Sequence, residues 1–199
     1  MSLPSIIMER SRALPEGTIL SPKEFLHLGS RAAVDQAFSR LARGGMLSRV
    51  SRGIYIRAVA GLRGATPALE KVVKSLASRG RAAIVLGNAK AAELFGFTSS
   101  QQHSQEFLTS GRTQHLKIGN QEALLRHAPP WMLALGWSNA GNAIRALAWG
   151  GPVTADETAL QLRSKMSGQE WETLSSICGR LPTWMAIAIG RASTAKDGQ

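Results

Sequence analysis

Cysteine is nearly absent. Cys178 stands alone in a chain of 199 residues, so neither an internal disulfide nor a cysteine-based zinc site can form. It lies in an apolar-looking helical stretch, where a thiol is inert. Histidine is scarce and scattered: His27, His103, His115 and His127 make no HExxH or comparable metal spacing. GxSxG does not occur. Gly87-Asn88-Ala89-Lys90 lacks the longer glycine spacing and the Lys-Ser/Thr ending of a phosphate loop, and reads as a strand-to-helix turn with Asn88 as its cap. The expectation is a protein that is not an enzyme and has no catalytic residue, metal or cofactor.

Long apolar runs are missing as well. The longest uncharged stretch, His127 to Ile144, holds Pro129, Pro130, Gly136, Asn139, Gly141 and Asn142, a composition foreign to a bilayer span. The opening MSLPSIIMERSR has neither the basic start nor the extended apolar run of a signal peptide. These absences predict a soluble, cytoplasmic chain with no membrane partner.

Acid is short, and unevenly so. Residues 1–80 carry 13 Lys+Arg against 5 Asp+Glu, whereas residues 81–199 carry 11 against 8. Most of the formal charge of +11 is therefore concentrated at one end. A basic end attracts polyanions through long-range steering, although solubility alone is the plainer explanation of charge.

What is present gives the basic end a definite order. Leu3, Ile6, Ile7 and Leu14 fall near helical spacing, and Pro15-Glu16-Gly17 closes that helix. Thr18-Ile19-Leu20 allows a short strand. Ser21-Pro22-Lys23-Glu24 is a capping box opening a helix to Leu28, stopped by Gly29. Ser30 caps a further helix with Val34, Ala37, Phe38 and Leu41 on one face and Arg31, Asp35, Gln36, Ser39, Arg40 and Arg43 on the other. Gly44-Gly45 ends it, and Met46–Val50 and Ile54–Arg57 form a ribbon with Gly53 in its loop.

Ala58–Ala65 is glycine-rich and marks a boundary. Beyond it, a helix opens at Thr66-Pro67 and runs to about Arg79. A buried strand at Ala82–Leu86 follows, then a helix at Asn88–Phe95 and strands near Gln105–Ser110, Gln114–Gly119 and Ala123–His127. From Pro130 the pattern is helical, with caps at Ser138, Thr154 and Ser167 and a helix start at Pro182. The fold class is α+β: an N-terminal winged helix-turn-helix over residues 1–60, then a mixed α/β domain over 61–199 with a mostly helical tail. Trp131, Trp137, Trp149, Trp171 and Trp184 all lie in that tail, where core packing is the plain reading and an exposed subset would mark a partner surface.

A helix-turn-helix sends its second helix into the major groove, where arginine and glutamine make bidentate contacts to guanine and adenine. Arg31, Gln36, Ser39 and Arg40 are the expected base-facing residues. Lys23, Arg43, Arg49 and Arg52 are the expected phosphate contacts, with Ser51 beside them at the ribbon tip. Six arginines between residues 31 and 57 meet one acid, Asp35. A small helical bundle with a solvated basic face explains the charge equally well; the order of caps, glycines and strands favours duplex DNA.

Leu20-Ser21-Pro22-Lys23-Glu24-Phe25, Ala37-Phe38-Ser39-Arg40-Leu41-Ala42-Arg43-Gly44-Gly45 and Arg52-Gly53-Ile54-Tyr55 resemble AbiEi-type antitoxins, transcriptional regulators of bacterial type IV toxin–antitoxin systems. Ile84–Thr98, Phe107–Gly111 and Leu116–Gly119 extend the resemblance, which covers roughly residues 5–130 and leaves the tail unmatched. It implies an autorepressor that binds inverted repeats in its own promoter through double-stranded operator DNA. It also implies an antitoxin that counteracts a nucleotidyltransferase-type toxin without a stable complex. The resemblance maps a recognition helix onto Arg31–Arg43 and a wing onto Arg49–Tyr55. The chain would be a monomer or weak dimer able to pair on DNA. The alternatives are a winged-helix regulator whose C-terminal domain senses a ligand, with no toxin partner, and a nucleic-acid-modifying enzyme that docks through the winged helix.

Overall fold

A computed structural model describes residues 2–15, 17–51, 53–57, 69–80, 82–99, 105–118 and 121–195. The expected boundary at Ala58–Ala65 and the helix opening at Thr66-Pro67 lie outside the described residues. The fold is α+β, with two small sheets. Two compact units are formed, Met1–Arg81 with His115–Ala123, and Ala82–Gln114 with Leu124–Gln199.

In the first unit, α1 (Leu3–Arg12) starts at Ser2, whose hydroxyl accepts from the Ser5 backbone N–H. Strand β1 (Ile19–Leu20) leads into a 3-10 helix over Pro22–Leu28, where an ordinary α-helix was expected. The physical reason lies in the spacing of its apolar residues. Pro22 and Phe25 are buried and Leu28 packs on the same core, and a three-residue repeat stacks all three on one side. Glu24 reaches back to the Ser21 N–H at 3.4 Å, as the sequence pattern predicts.

Helix α2 (Arg31–Arg43) begins at Ser30, which accepts from the Ala33 N–H at 3.3 Å. Its end is defined by Met46 N–H donating to Leu41 O and Gly45 N–H to Ala42 O, with Gly45 at φ +70°. That is a Schellman closure, and its left-handed position is what Gly45 supplies. Strands β2 (Leu47–Ser51) and β3 (Ile54–Arg57) then pair antiparallel, with a register shift between Arg49 and Ser51. Gly53 has the positive φ, +74°, that the loop needs. Strand β1 pairs on the far side of β3, so the sheet order is β1-β3-β2.

The core of this unit joins Ile7, Leu20, Phe25, Val34, Phe38, Leu41, Leu47 and Tyr55. Phe38 is its centre, 5.4 Å from the Phe25 ring and 4.9 Å from the Tyr55 ring. Such pairs add about 1 kcal/mol each beyond burial. Helix α3 (Leu69–Arg79) joins the unit through Arg79–Glu24 at 2.6 Å and Ile19 N–H to Ser75 Oγ at 3.1 Å.

Strands β4 (Ile84–Leu86), β5 (Gln105–Thr109), β6 (Gln114–Ile118) and β7 (Gln121–His127) form a sheet of order β4-β5-β7-β6. In the second unit, α4 (Asn88–Leu94) follows β4. The remaining helices are α5 (Pro130–Leu133), α6 (Asn139–Gly150), α7 (Ala155–Lys165), α8 (Gly168–Ser175) and α9 (Thr183–Thr194). Helix α6 is buried on all sides from Ala140 to Leu147 and forms the axis of a core that includes Ile144, Leu147, Leu162, Trp171, Leu174, Met185 and Ile189. The Ser138 and Ser167 caps form as expected. Thr154 differs: its hydroxyl donates to Gly150 O instead of capping α7. Among the described residues no helix is long and apolar enough to cross a membrane.

Candidate functional site

The apolar face of α2 is sealed into the core, which leaves Gln36, Ser39, Arg40 and Arg43 exposed. Positions 36, 40 and 43 recur at helical spacing on one side, and Ser39 stands one turn before Arg43. Arg31 is exposed too, but its Nε donates to Asp35 Oδ2 at 3.1 Å, so the one acid of the helix is engaged at its N-terminal turn. Both partners are well exposed, so this pair stabilises α2 only slightly. The consequence is directional. The C-terminal two turns of the exposed face carry cations and an amide with no carboxylate among them.

Lys23 is exposed in the 3-10 helix, and Arg49 is exposed on β2. Ser51 is the last residue of β2, opposite Ile54, and Arg52 lies outside the described residues. Tyr55, in the segment expected to form a wing, points to the core and packs on Phe38. Arg10 on α1 donates to His27 Nε2 at 2.8 Å.

The isolated groups of the second unit have structural partners. His127 donates from Nδ1 to Gly111 O at 2.8 Å. Gly87 is the N-cap of α4, where Asn88 was expected, and a Cβ there would stand 2.6 Å from Glu106 O. Close approach to β5 thus accounts for that glycine without a phosphate. Cys178 is half-buried in a 3-10 turn, and desolvation raises its thiol above the ordinary value. Trp171 is buried and donates to Ser193 Oγ at 2.9 Å. His103 lies outside the described residues. Among the described residues no three His, Cys, Asp or Glu side chains are grouped to hold a metal ion.

Arg145, which no sequence motif singles out, is the largest fully buried side chain described. Its Nη1 donates to Met132 O at 3.1 Å; its Nη2 donates to Gly136 O at 2.8 Å and to Asn142 Oδ1 at 2.7 Å. Among the described residues no carboxylate neutralises it, and desolvation pulls its pKa down to about 10. Its carbonyl partners flank Leu135, the one non-glycine residue at positive φ among those described (+59°). The arginine therefore clamps a strained turn. The signal for it was the all-round apolar character of α6, which marks a buried helix.

The second unit also has an open pocket of about 390 Å³ between the Gly96-Phe97 turn, the end of α6 and the start of α7. Its lining includes Phe97, Trp149, Thr154, Glu157, Thr158 and Gln161.

A protein-family model matches residues 6–172, well over half of the chain: Family of unknown function (DUF6088). The chain belongs to the DUF6088 family. Comparison with curated proteins and with solved structures found no match. The DUF6088 match spans both the exposed face of α2 and the pocket of the second unit.

Proposed function

We propose that this DUF6088 chain is a DNA-binding transcriptional autorepressor whose first unit is a winged helix. The order helix, strand, helix, helix, strand, strand, with sheet order β1-β3-β2, supports that reading. The observation that carries it is the α2 face: Gln36, Ser39, Arg40 and Arg43 exposed together, on a helix rigidly held by Phe38 and followed directly by a ribbon. An α-helix fits the major groove, and these side chains have the donors that base edges and phosphates accept. Gln36 and Arg40 would meet bases; Arg43, Arg49 and Lys23 would meet phosphates.

The antitoxin role rests on the resemblance to AbiEi-type antitoxins, and its partner is a nucleotidyltransferase-type toxin counteracted without a stable complex. Rescue of growth when the cognate toxin and this chain are co-expressed tests that half. The pocket of the second unit favours one other reading, a regulator that senses a ligand and has no toxin partner.

The DNA-binding half is tested by a gel shift on the chain's own upstream DNA. Arg40→Ala and Gln36→Ala each weaken binding by about 1–3 kcal/mol, the worth of one good base contact. Unchanged affinity in both variants sinks the assignment of α2 as the recognition helix.

A further inference from the structure

The pocket of the second unit has a chemistry distinct from the rest of this basic chain. Its two aromatic walls are Phe97 and Trp149, and Trp149 is 45% exposed. Phe97 is placed by the closure of α4, in which its backbone N–H donates to Ala92 O at 3.0 Å. Trp149 and Gly150 bring the C-terminal end of α6, where Leu147 O accepts from the Gly151 N–H and Gly150 O from the Thr154 hydroxyl. Helix α7 adds Glu157, Thr158 and Gln161, and Gln161 Nε2 donates to Glu157 Oε1 at 3.2 Å, steadying the carboxylate. Glu157 is the one charged side chain of the lining, and no Lys, Arg or His is among the lining residues.

Aromatic faces and a carboxylate favour positive charge. The same unit already uses this mode internally: Lys165 Nζ stands 5.2 Å from the Phe97 ring centroid, and the Arg163 guanidinium stands 5.7 Å from that of Trp171. Lys165 itself is held outside the lining, with Nζ donating to Phe95 O. A volume of about 390 Å³ admits a guanidinium or ammonium with its aliphatic arm.

We propose that the pocket formed by Phe97, Trp149 and Glu157 binds an organic cation, a guanidinium or ammonium group carried on a short aliphatic arm. The head group stacks on the indole and faces the carboxylate, while Thr158 accepts a further N–H. This site is independent of DNA binding by the first unit. Two sources offer the same head group: a free small cation, or an arginine side chain presented by a protein partner.

The test follows the indole N–H resonance of Trp149 in the full-length protein, assigned by its loss in Trp149→Phe. The probes are agmatine, acetyl-arginine amide and the neutral isostere acetyl-citrulline amide. Saturable shifts are expected with agmatine or acetyl-arginine amide, and none with the citrulline compound. Glu157→Gln should weaken the binding about tenfold, the loss of one charge-assisted contact. Tighter binding of acetyl-arginine amide assigns the cation to a protein partner, and equal or tighter binding of agmatine assigns it to a free small molecule. No saturable shift with either cation, equal binding of the neutral isostere, or an unchanged Glu157→Gln overturns the proposal.

Discussion

Helices α2 and α6 invite comparison. Each opens on a serine cap, Ser30 or Ser138, and they run 13 and 12 residues. Each carries arginine in its later turns. In α2 only one face is buried, and Arg40 and Arg43 stand in solvent. In α6 every side is covered from Ala140 to Leu147, and Arg145 gives Nη1 and Nη2 to main-chain carbonyls and Asn142 while its buried Nε has no hydrogen-bond partner. The same residue type is thus offered outward in one unit and consumed in the other. What decides between them is the width of the apolar stripe around the helix, not the arginine itself.

The comparison breaks first at Arg145. Arg145→Ala removes the donors to Met132 O, Gly136 O and Asn142, leaving buried acceptors unsatisfied beside a cavity. A loss of about 3 kcal/mol or more is expected in chemical denaturation. DNA affinity of the protein that remains folded should stay as it was. A loss below about 0.5 kcal/mol, the size of an ordinary surface change, would mean that the clamp is not needed.

Arg43→Ala probes the other side of the comparison. Stability should move by no more than about 0.5 kcal/mol, because the side chain is solvent-exposed. The salt dependence of DNA binding should fall by about one unit of slope, the signature of one lost phosphate contact. An unchanged slope would take Arg43 off the DNA.

The smallest effect is electrostatic and confined to the second unit. Hydrogen bonds from the Ser167 backbone N–H, the Ser167 hydroxyl and Asn139 hold the Glu170 carboxyl below its ordinary value of 4.5. A carboxyl depressed in this way stabilises the folded state above its unfolded pKa, and that contribution disappears as pH falls through the lowered value. Glu170→Gln should therefore flatten the acid limb of the stability profile slightly and leave neutral-pH DNA binding unchanged. An acid limb identical to that of the parent chain would show that the capping box at Ser167 is not sensed in solution.

Much of α2 was legible in the sequence because its signals are local. Ser30, the 34-37-38-41 stripe and Gly44-Gly45 act within one or two turns, and the buried residues match that stripe. Strands β5, β6 and β7 were likewise readable from short apolar runs between turns. The 3-10 geometry of Pro22–Leu28 was not, because an i, i+3 pair such as Phe25 and Leu28 fits either helix. Nor was the clamp at Arg145, whose partners lie on a turn that only tertiary packing presents. Trp149 and Trp171 show the same limit: core packing is the plain reading of both and the sequence does not say which would be exposed, yet one is 45% exposed and the other 5%. Burial of a single side chain depends on neighbours distant in the chain, and the residue type does not report them.

On the proposed function, the outward arginines of the first unit read a specific duplex. The direct test is fluorescence anisotropy on the chain's own upstream DNA and on unrelated DNA of equal length, over a salt series. Binding to the upstream DNA should be at least about 1,000-fold tighter at physiological salt, with both affinities falling as salt rises. Equal affinity for the two DNAs at every salt concentration would contradict that reading, reducing the basic face of α2 to bulk charge.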